Sequence, residues 1–167
     1  MGMGQRTLVI LRHAKAANPD GVADVQRPLT RRGQLDAAAA GRWLTDHGIA
    51  PDVVLCSPAR RTRETWHGVA RGLAKAPDVA YLENLYAADV DDLLIAVSEV
   101  DDDSSTALLI GHNPAVSRLS AVLDPSGADA EGLSTAGIAV HTWDGDWAQV
   151  GPGAATLSAA HTARGVT

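Results

Sequence analysis

The chain has 167 residues, 46% of them hydrophobic and 20% charged, with a formal net charge of −6. These proportions exclude a disordered chain and fit one globular domain over residues 1–167. The acidic balance gives no electrostatic reason to expect nucleic acid or an anionic membrane surface as a partner, so a site for an anionic substrate must concentrate its positive charge locally. Phe is absent and aromatics make up 4%, so the core is expected from Leu, Val, Ile and Ala, with Trp43, Trp66, Trp143 and Trp147 as further core residues. The single cysteine, Cys56, excludes an internal disulfide framework and fits a reducing compartment. The apolar stretch Thr7 to Leu11 is interrupted by Arg12, which is too short for a secretory signal or for a span of about 20 residues. Met1-Gly2 lacks the Ser or Thr that a myristoylation signal places where Arg6 stands. The expected location is the cytoplasm, without a membrane partner.

In chain order, Thr7 to Leu11 is the first of three apolar, unalternated runs that suit strands buried on both faces. Thr30 is placed to cap a helix bearing Leu35, Ala38, Ala39, Trp43 and Leu44 on one side and ending near His47-Gly48. Val53 to Cys56 is the second buried run. Ser57-Pro58 then reads as a cap followed by proline at the first helical position. Val79 to Leu82 is a further strand, and Asp91 to Val100 a helix with acidic residues at its positive end. Asp101 to Ser105 is a turn, and Ala107 to Ile110 the third buried run. Asn113-Pro114 repeats the pattern of cap and proline. After a loop from Asp124 to Gly132, strands are predicted at Gly137 to Trp143 and Trp147 to Val150, joined by Asp144-Gly145-Asp146. Residues from about 158 to 167 carry little apolar content and are expected to fray. Strands alternating with helices predict a three-layer α/β/α domain with a mostly parallel sheet.

The informative residues follow the three buried runs: Arg12-His13 after the first, Ser57-Pro58-Ala59-Arg60-Arg61 after the second, and Gly111-His112-Asn113-Pro114 after the third. Ligands of open α/β sheets sit beyond the carboxyl ends of strands. Parallel neighbours would bring His13, His112, Arg12 and Arg61 together there. Arg61, early in its helix, would lean back toward the same crevice. Helix N-termini after Ser57 and Asn113 would add amides and positive dipole ends. Such a site suits phosphate, the anion best matched to guanidinium forks. Each piece alone is ordinary, as a surface turn or a capped helix start; their recurrence at successive strand ends is not.

These residues resemble the histidine phosphatase superfamily, whose fold is phosphoglycerate-mutase-like, and most of all its small SixA-type phosphohistidine phosphatases. The resemblance rests on Leu11-Arg12-His13-Ala14-Lys15, on Ser57-Pro58-Ala59-Arg60-Arg61-Thr62-Arg63-Glu64-Thr65 and on Gly111 to Pro114. Its SixA-type character comes from Arg27-Pro28-Leu29-Thr30 with Gly33, Glu83-Asn84-Leu85-Tyr86, and Leu133-Ser134-Thr135-Ala136-Gly137. Ala14 stands where many members have glycine, a departure that SixA-type members often share.

The resemblance implies a metal-independent phosphatase, without a cofactor, in which His13 attacks phosphorus and becomes phosphohistidine before water releases phosphate. Arg12, Arg61 and a charged His112 would bind the phosphoryl oxygens, with Ser57 and Asn113 lining the site. Arg27 is a further phosphate-binding residue by resemblance, or an exposed loop arginine by composition; Lys15 reads as a surface residue. A phosphohistidine substrate leaves without assistance, whereas an alkoxide needs a general acid. Glu83 is the nearest candidate, with a strand-end or solvent-facing position an equal reading. The expected partner is a phosphorylated substrate such as a phosphohistidine-bearing protein. Small-molecule phosphoesters and a non-catalytic phosphate-binding module are the alternatives.

Three other chemistries fit poorly. A cysteine phosphatase built on Cys56 would need arginine at the position of Thr62. A metal site has no close ligand pair and adjacent arginines, and neither glycine signature of a nucleotide-binding loop occurs.

Overall fold

The three apolar runs become neighbouring parallel strands of one sheet. In the computed structural model, which describes residues 4–166, the strands are β1 (Gln5–Arg12), β2 (Val53–Cys56), β3 (Val79–Tyr81), β4 (Thr106–Gly111), β5 (Gly137–Asp144) and β6 (Thr156–Thr162). The expectation for Met1-Gly2 and the end of the predicted tail, Thr167, lie outside the described residues. The order across the sheet is β3-β2-β4-β1-β5-β6. Strands β1 to β4 run parallel, β5 is antiparallel to β1, and β6 is antiparallel to β5. The helices are α1 (Arg31–Asp46), α2 (Arg60–Gly72), α3 (Val90–Ser98) and α4 (Ala115–Leu123).

Side chains alternate across each strand, and both faces of the central strands are covered. Leu8 and Ile10 of β1 join Leu55 and Leu109 beneath Leu93 and Val97 of α3 and Val116 and Leu119 of α4. Val9 and Leu11 join Val54, Cys56, Leu108 and Ile110 beneath Ala37 and Leu44 of α1 and Trp66 and Val69 of α2. The result is the three-layer α/β/α arrangement, with the core divided by the sheet. Helices α1 and α2 touch backbone to backbone: a Cβ on Gly41 would lie 2.1 Å from the Val69 carbonyl oxygen, so only glycine permits this crossing.

Several local expectations are corrected. Trp147 to Val150 is not a strand: Trp147–Gln149 is a 3₁₀ turn stabilised by reciprocal capping between Asp146 and Gln149. It drives the fully buried Trp147 indole into the core, where its Nε1 donates to the Ser104 carbonyl at 2.7 Å. Trp66 and Trp143 are also buried, but Trp43 is only partly so, stacked between His47 and His161.

The predicted frayed tail is instead the edge strand β6 followed by a docked end. The Gly165 amide donates to the buried Asp36 carboxylate at 2.9 Å, and Ala163 is fully buried.

Helix starts also differ. Thr30 does cap α1, accepting from the Gly33 amide. Helix α2, however, begins at Arg60 rather than Pro58, and Ser57 does not cap it. Helix α4 begins at Ala115, with Pro114 in place of Asn113 at the cap position. Helix α3 runs from Val90 to Ser98, with Asp89 and Asp92 forming a capping box.

Candidate active site

Parallel register sets the strand ends side by side. Arg12 pairs with Gly111 and Cys56 with Ile110, and the His13 and Ser57 amides each donate, at 3.1 Å, to β4 carbonyls (Gly111 and Ile110). His112, following the middle strand, therefore lies between His13 and Ser57. The His13 and His112 ring centroids are 5.4 Å apart.

The turn after β1 is held from three directions. The Ala14 amide donates to Thr65 Oγ1 at 3.1 Å, and that hydroxyl donates to the Arg61 carbonyl at 2.6 Å. The Ala136 amide donates to the Arg12 and His13 carbonyls, both at 3.1 Å. The first turn of α1 presses against Lys15, where a Cβ on Gly33 would come within 2.1 Å of the Lys15 carbonyl oxygen. In this rigid turn, His13 Nδ1 lies 2.8 Å from the Ala14 carbonyl. A carbonyl only accepts, so Nδ1 carries the proton and Nε2 presents its lone pair. Burial, followed by the charges of Arg61, Arg12 and Arg27, pushes the His13 pKa down to about 4, against the opposing pull of the Ala14 carbonyl. The ring is neutral at neutral pH, the state an attacking imidazole requires.

His112 Nε2 is 2.8 Å from Ser57 Oγ. Ser57 thus contributes a hydroxyl to the site and not a helix cap. In the free protein, burial, then proximity to His13 and Arg61, pushes the His112 pKa down to about 3, away from the charged form expected of it with a phosphoryl group bound. A phosphoryl dianion beside the ring would act in the opposite direction.

Arg12 donates through Nη1 to the Leu133 carbonyl at 3.1 Å, which fixes the guanidinium. Burial lowers its pKa, though it remains a cation. Asn113 is exposed and donates from Nδ2 to the same carbonyl at 2.9 Å, while its Oδ1 accepts from Ser117. It braces the loop that holds Arg12.

Arg12 Nε and His112 Nδ1 are the two buried side-chain polar atoms without a hydrogen-bond partner among the described residues. Buried polar atoms are rarely left so. Arg12 precedes His13 in the chain and the His112 ring centroid lies 5.4 Å from that of His13, so both atoms belong to residues that neighbour His13.

Arg61, early in α2, is buried, and its guanidinium is paired. It donates through Nη1 to the Asp24 carbonyl at 2.8 Å and through Nη2 to Asp24 Oδ2 at 3.0 Å. Arg27 donates to Asp24 Oδ1 at 3.2 Å, with its Nε bound to the Ala17 carbonyl at 3.0 Å. The Tyr86 hydroxyl donates to Asp24 Oδ2, and its ring meets His112 edge-on with centroids 5.8 Å apart. The Tyr86 hydrogen bond, with those from Arg61 and Arg27, holds the Asp24 carboxyl well below the usual carboxylate range. Glu83 is exposed, and its carboxylate joins no hydrogen bond or ion pair among the described residues. The acid that the fold brings to the site is Asp24. Its one sequence signal is its position three residues before Arg27.

Cys56 is buried and its thiol is pushed up to about 12, as suits an inert core residue. Lys15 is exposed. Among the described residues, no group of three or more His, Cys, Asp or Glu side chains is placed to hold a metal ion. None of the described helices is long and apolar enough to cross a membrane.

Comparison with known proteins agrees with this geometry. Residues 8–93 match the histidine phosphatase superfamily, branch 1. An uncharacterized protein of Mycobacterium tuberculosis is 43% identical over 162 residues, covering 92% of this chain and 100% of its own length. The SixA structure from Nakamurella multipartitia superposes with a TM-score of 0.86 at 35% identity, over 98% of this chain and 99% of that one. A protein histidine phosphatase SixA solved with tungstate superposes with a TM-score of 0.80 at 26% identity, over 93% and 96% of the two chains. The chain belongs to the histidine phosphatase superfamily, and it is a phosphatase with the SixA form of that fold.

Proposed function

We propose that the chain is a metal-independent phosphatase that works through phospho-His13, with a phosphohistidine-bearing protein as its substrate. The observation that carries this reading is His13 tied at Nδ1 to the Ala14 carbonyl, which leaves Nε2 to present its lone pair, with the His112 ring centroid 5.4 Å away.

In the first step the Nε2 lone pair attacks phosphorus in line. The P–N or P–O bond to the leaving group breaks, and the electron pair departs with that group. Arg12, Arg61 and His112 stabilise the equatorial oxygens, with Arg27 adding charge at the rim. Ser57 orients His112, and Asn113 fixes the loop that orients Arg12. In the second step water attacks phospho-His13, and the P–N bond electrons return to Nε2.

Hydrolysis of small phosphoesters is the second reading. It would need a proton donor, and the exposed Glu83 has no partner that aims it at the site. Asp24 is held ionised. Both features favour a leaving group that departs without a delivered proton, which phosphohistidine supplies. The likeness to a protein histidine phosphatase supports the same substrate class.

The test is phosphate release, in chelator, from a phosphohistidine-bearing protein and from an aryl phosphate side by side. Faster release from the phosphohistidine protein, lost in His13→Ala, is the expected result. Release from the aryl phosphate alone would favour the small-ester reading. Binding without release would favour a recognition module.

A further inference from the structure

Asp24 is out of place in a pocket built for an anion. Its side chain is 53% exposed, against 9% for the Arg61 side chain that it pairs with, so the carboxylate stands on the solvent side of the guanidinium. Tyr86 and Arg27 fix it there through both oxygens. A carboxylate at the rim opposes an approaching dianion and cancels part of the charge of Arg61 and Arg27. For phosphate binding alone it is a disadvantage.

The arrangement makes sense when the leaving group is considered. His13 and His112 follow β1 and β4 at the floor of the site, and Nε2 of His13 is the open nitrogen. In-line displacement from that nitrogen sends the leaving group outward, toward the rim where Asp24 and Tyr86 stand. A phosphomonoester delivers an oxyanion there, which a fixed carboxylate repels. A phosphoramidate on an imidazole ring, protonated at its other nitrogen, delivers an N–H donor with positive charge, which a fixed carboxylate attracts.

Resting on the phosphatase reading above, we infer that Asp24 is the leaving-group selector of this site: its rim carboxylate pairs with the protonated imidazole of a phosphohistidine substrate and discriminates against oxyanion leaving groups. The step balances without a delivered proton. The ring nitrogen that carries phosphorus takes the P–N electron pair, the other nitrogen keeps its proton, and a neutral imidazole departs as the His13 Nε2–P bond forms. Asp24 stays ionised throughout. It acts as a specificity residue and neither gives nor takes a proton.

The experiment compares the parent, Asp24→Asn and Asp24→Glu on phosphoimidazole and on phenyl phosphate, with kcat and KM separated. In Asp24→Asn, kcat/KM for phosphoimidazole is expected to fall by about tenfold, the scale of one charge-assisted hydrogen bond, while that for phenyl phosphate rises. Asp24→Glu, which keeps the charge, is expected to recover much of the parent's preference. Equal losses on both substrates in Asp24→Asn would overturn the inference and leave Asp24 as a brace for Arg61. An unchanged ratio of the two would overturn it as well. A parent inactive on both compounds and on a phosphohistidine-bearing protein would instead sink the phosphatase reading, and this inference with it.

Discussion

Among the described residues two histidine–serine pairs, one partly and one fully buried, differ in one atom. At the site, His112 Nε2 lies 2.8 Å from Ser57 Oγ, while Nδ1 has no partner. Between α4 and β5, His141 Nε2 lies 2.7 Å from Ser120 Oγ, and Nδ1 donates to the Ala155 carbonyl at 3.0 Å. Burial pushes both imidazoles toward the neutral form. The second pair is complete: it ties a helix, a strand and the loop before β6 into one unit. The first is incomplete, and Arg12 Nε is the other buried side-chain polar atom left without a partner among the described residues. A fully satisfied buried histidine contributes to stability. One left a partner short serves a ligand, at some expense to the free protein.

The sharpest way to break this comparison is to remove the groups around the spare atoms. Replacing His13 by Ala is expected to abolish turnover altogether, measured as phosphate release at saturating substrate. Next in size, His112→Ala and Arg61→Ala are each expected to lower kcat by a factor of about 10² or more, the scale of one lost oxyanion contact. The His112 variant loses the Ser57 hydrogen bond together with an unsatisfied atom, so its thermal midpoint should fall by less than that of a variant at Ser120. A large loss of stability in His112→Ala would erase the distinction between the two pairs.

The reverse holds at the other pair. Ser120→Ala leaves His141 Nε2 unpartnered and is expected to destabilise the fold by about 1–3 kcal/mol in urea denaturation, with kcat essentially that of the parent. A large loss of kcat in this variant would mean that the complete pair also serves the chemistry.

A further effect is a dependence on pH. His13 and His112 have folded pKa values lowered to about 4 and about 3 from 6.5, so the unfolded chain binds more protons in that interval. Their stability contribution is fully present above pH 6.5 and is lost as pH falls through 4 and then 3. Denaturation midpoints taken from pH 7 downward test the sign. Added tungstate should raise the His112 pKa, read by the NMR shift of its ring protons.

What could be read in the sequence was whatever is local. The strand ends bearing Arg12-His13, Ser57 and His112 follow continuous apolar runs. Buried parallel strands leave no other face for such runs, and short connections prune their possible order. Strand β6 was illegible for the opposite reason: Thr156–Thr162 is a half-exposed edge strand of mostly small residues, recognisable by its partner β5 and not by its own pattern. Ser57 reads as a cap because a serine before proline has that local meaning, and its hydroxyl turns to His112 only in the folded chain. Asp24 had no local meaning. It lies 37 residues from Arg61 and 62 from Tyr86, and those contacts define its place in the site.

The most direct test of the central claim is to trap the phosphorylated enzyme. The protein is mixed with a phosphohistidine-bearing protein, quenched in base within the first turnover, digested and sequenced by mass spectrometry. The account predicts one phosphoryl group, stable to base and labile to acid, on the peptide carrying His13, disappearing as phosphate is released. A phosphoryl group on any other residue, or substrate turnover with none on His13 at any time in the cycle, would contradict it.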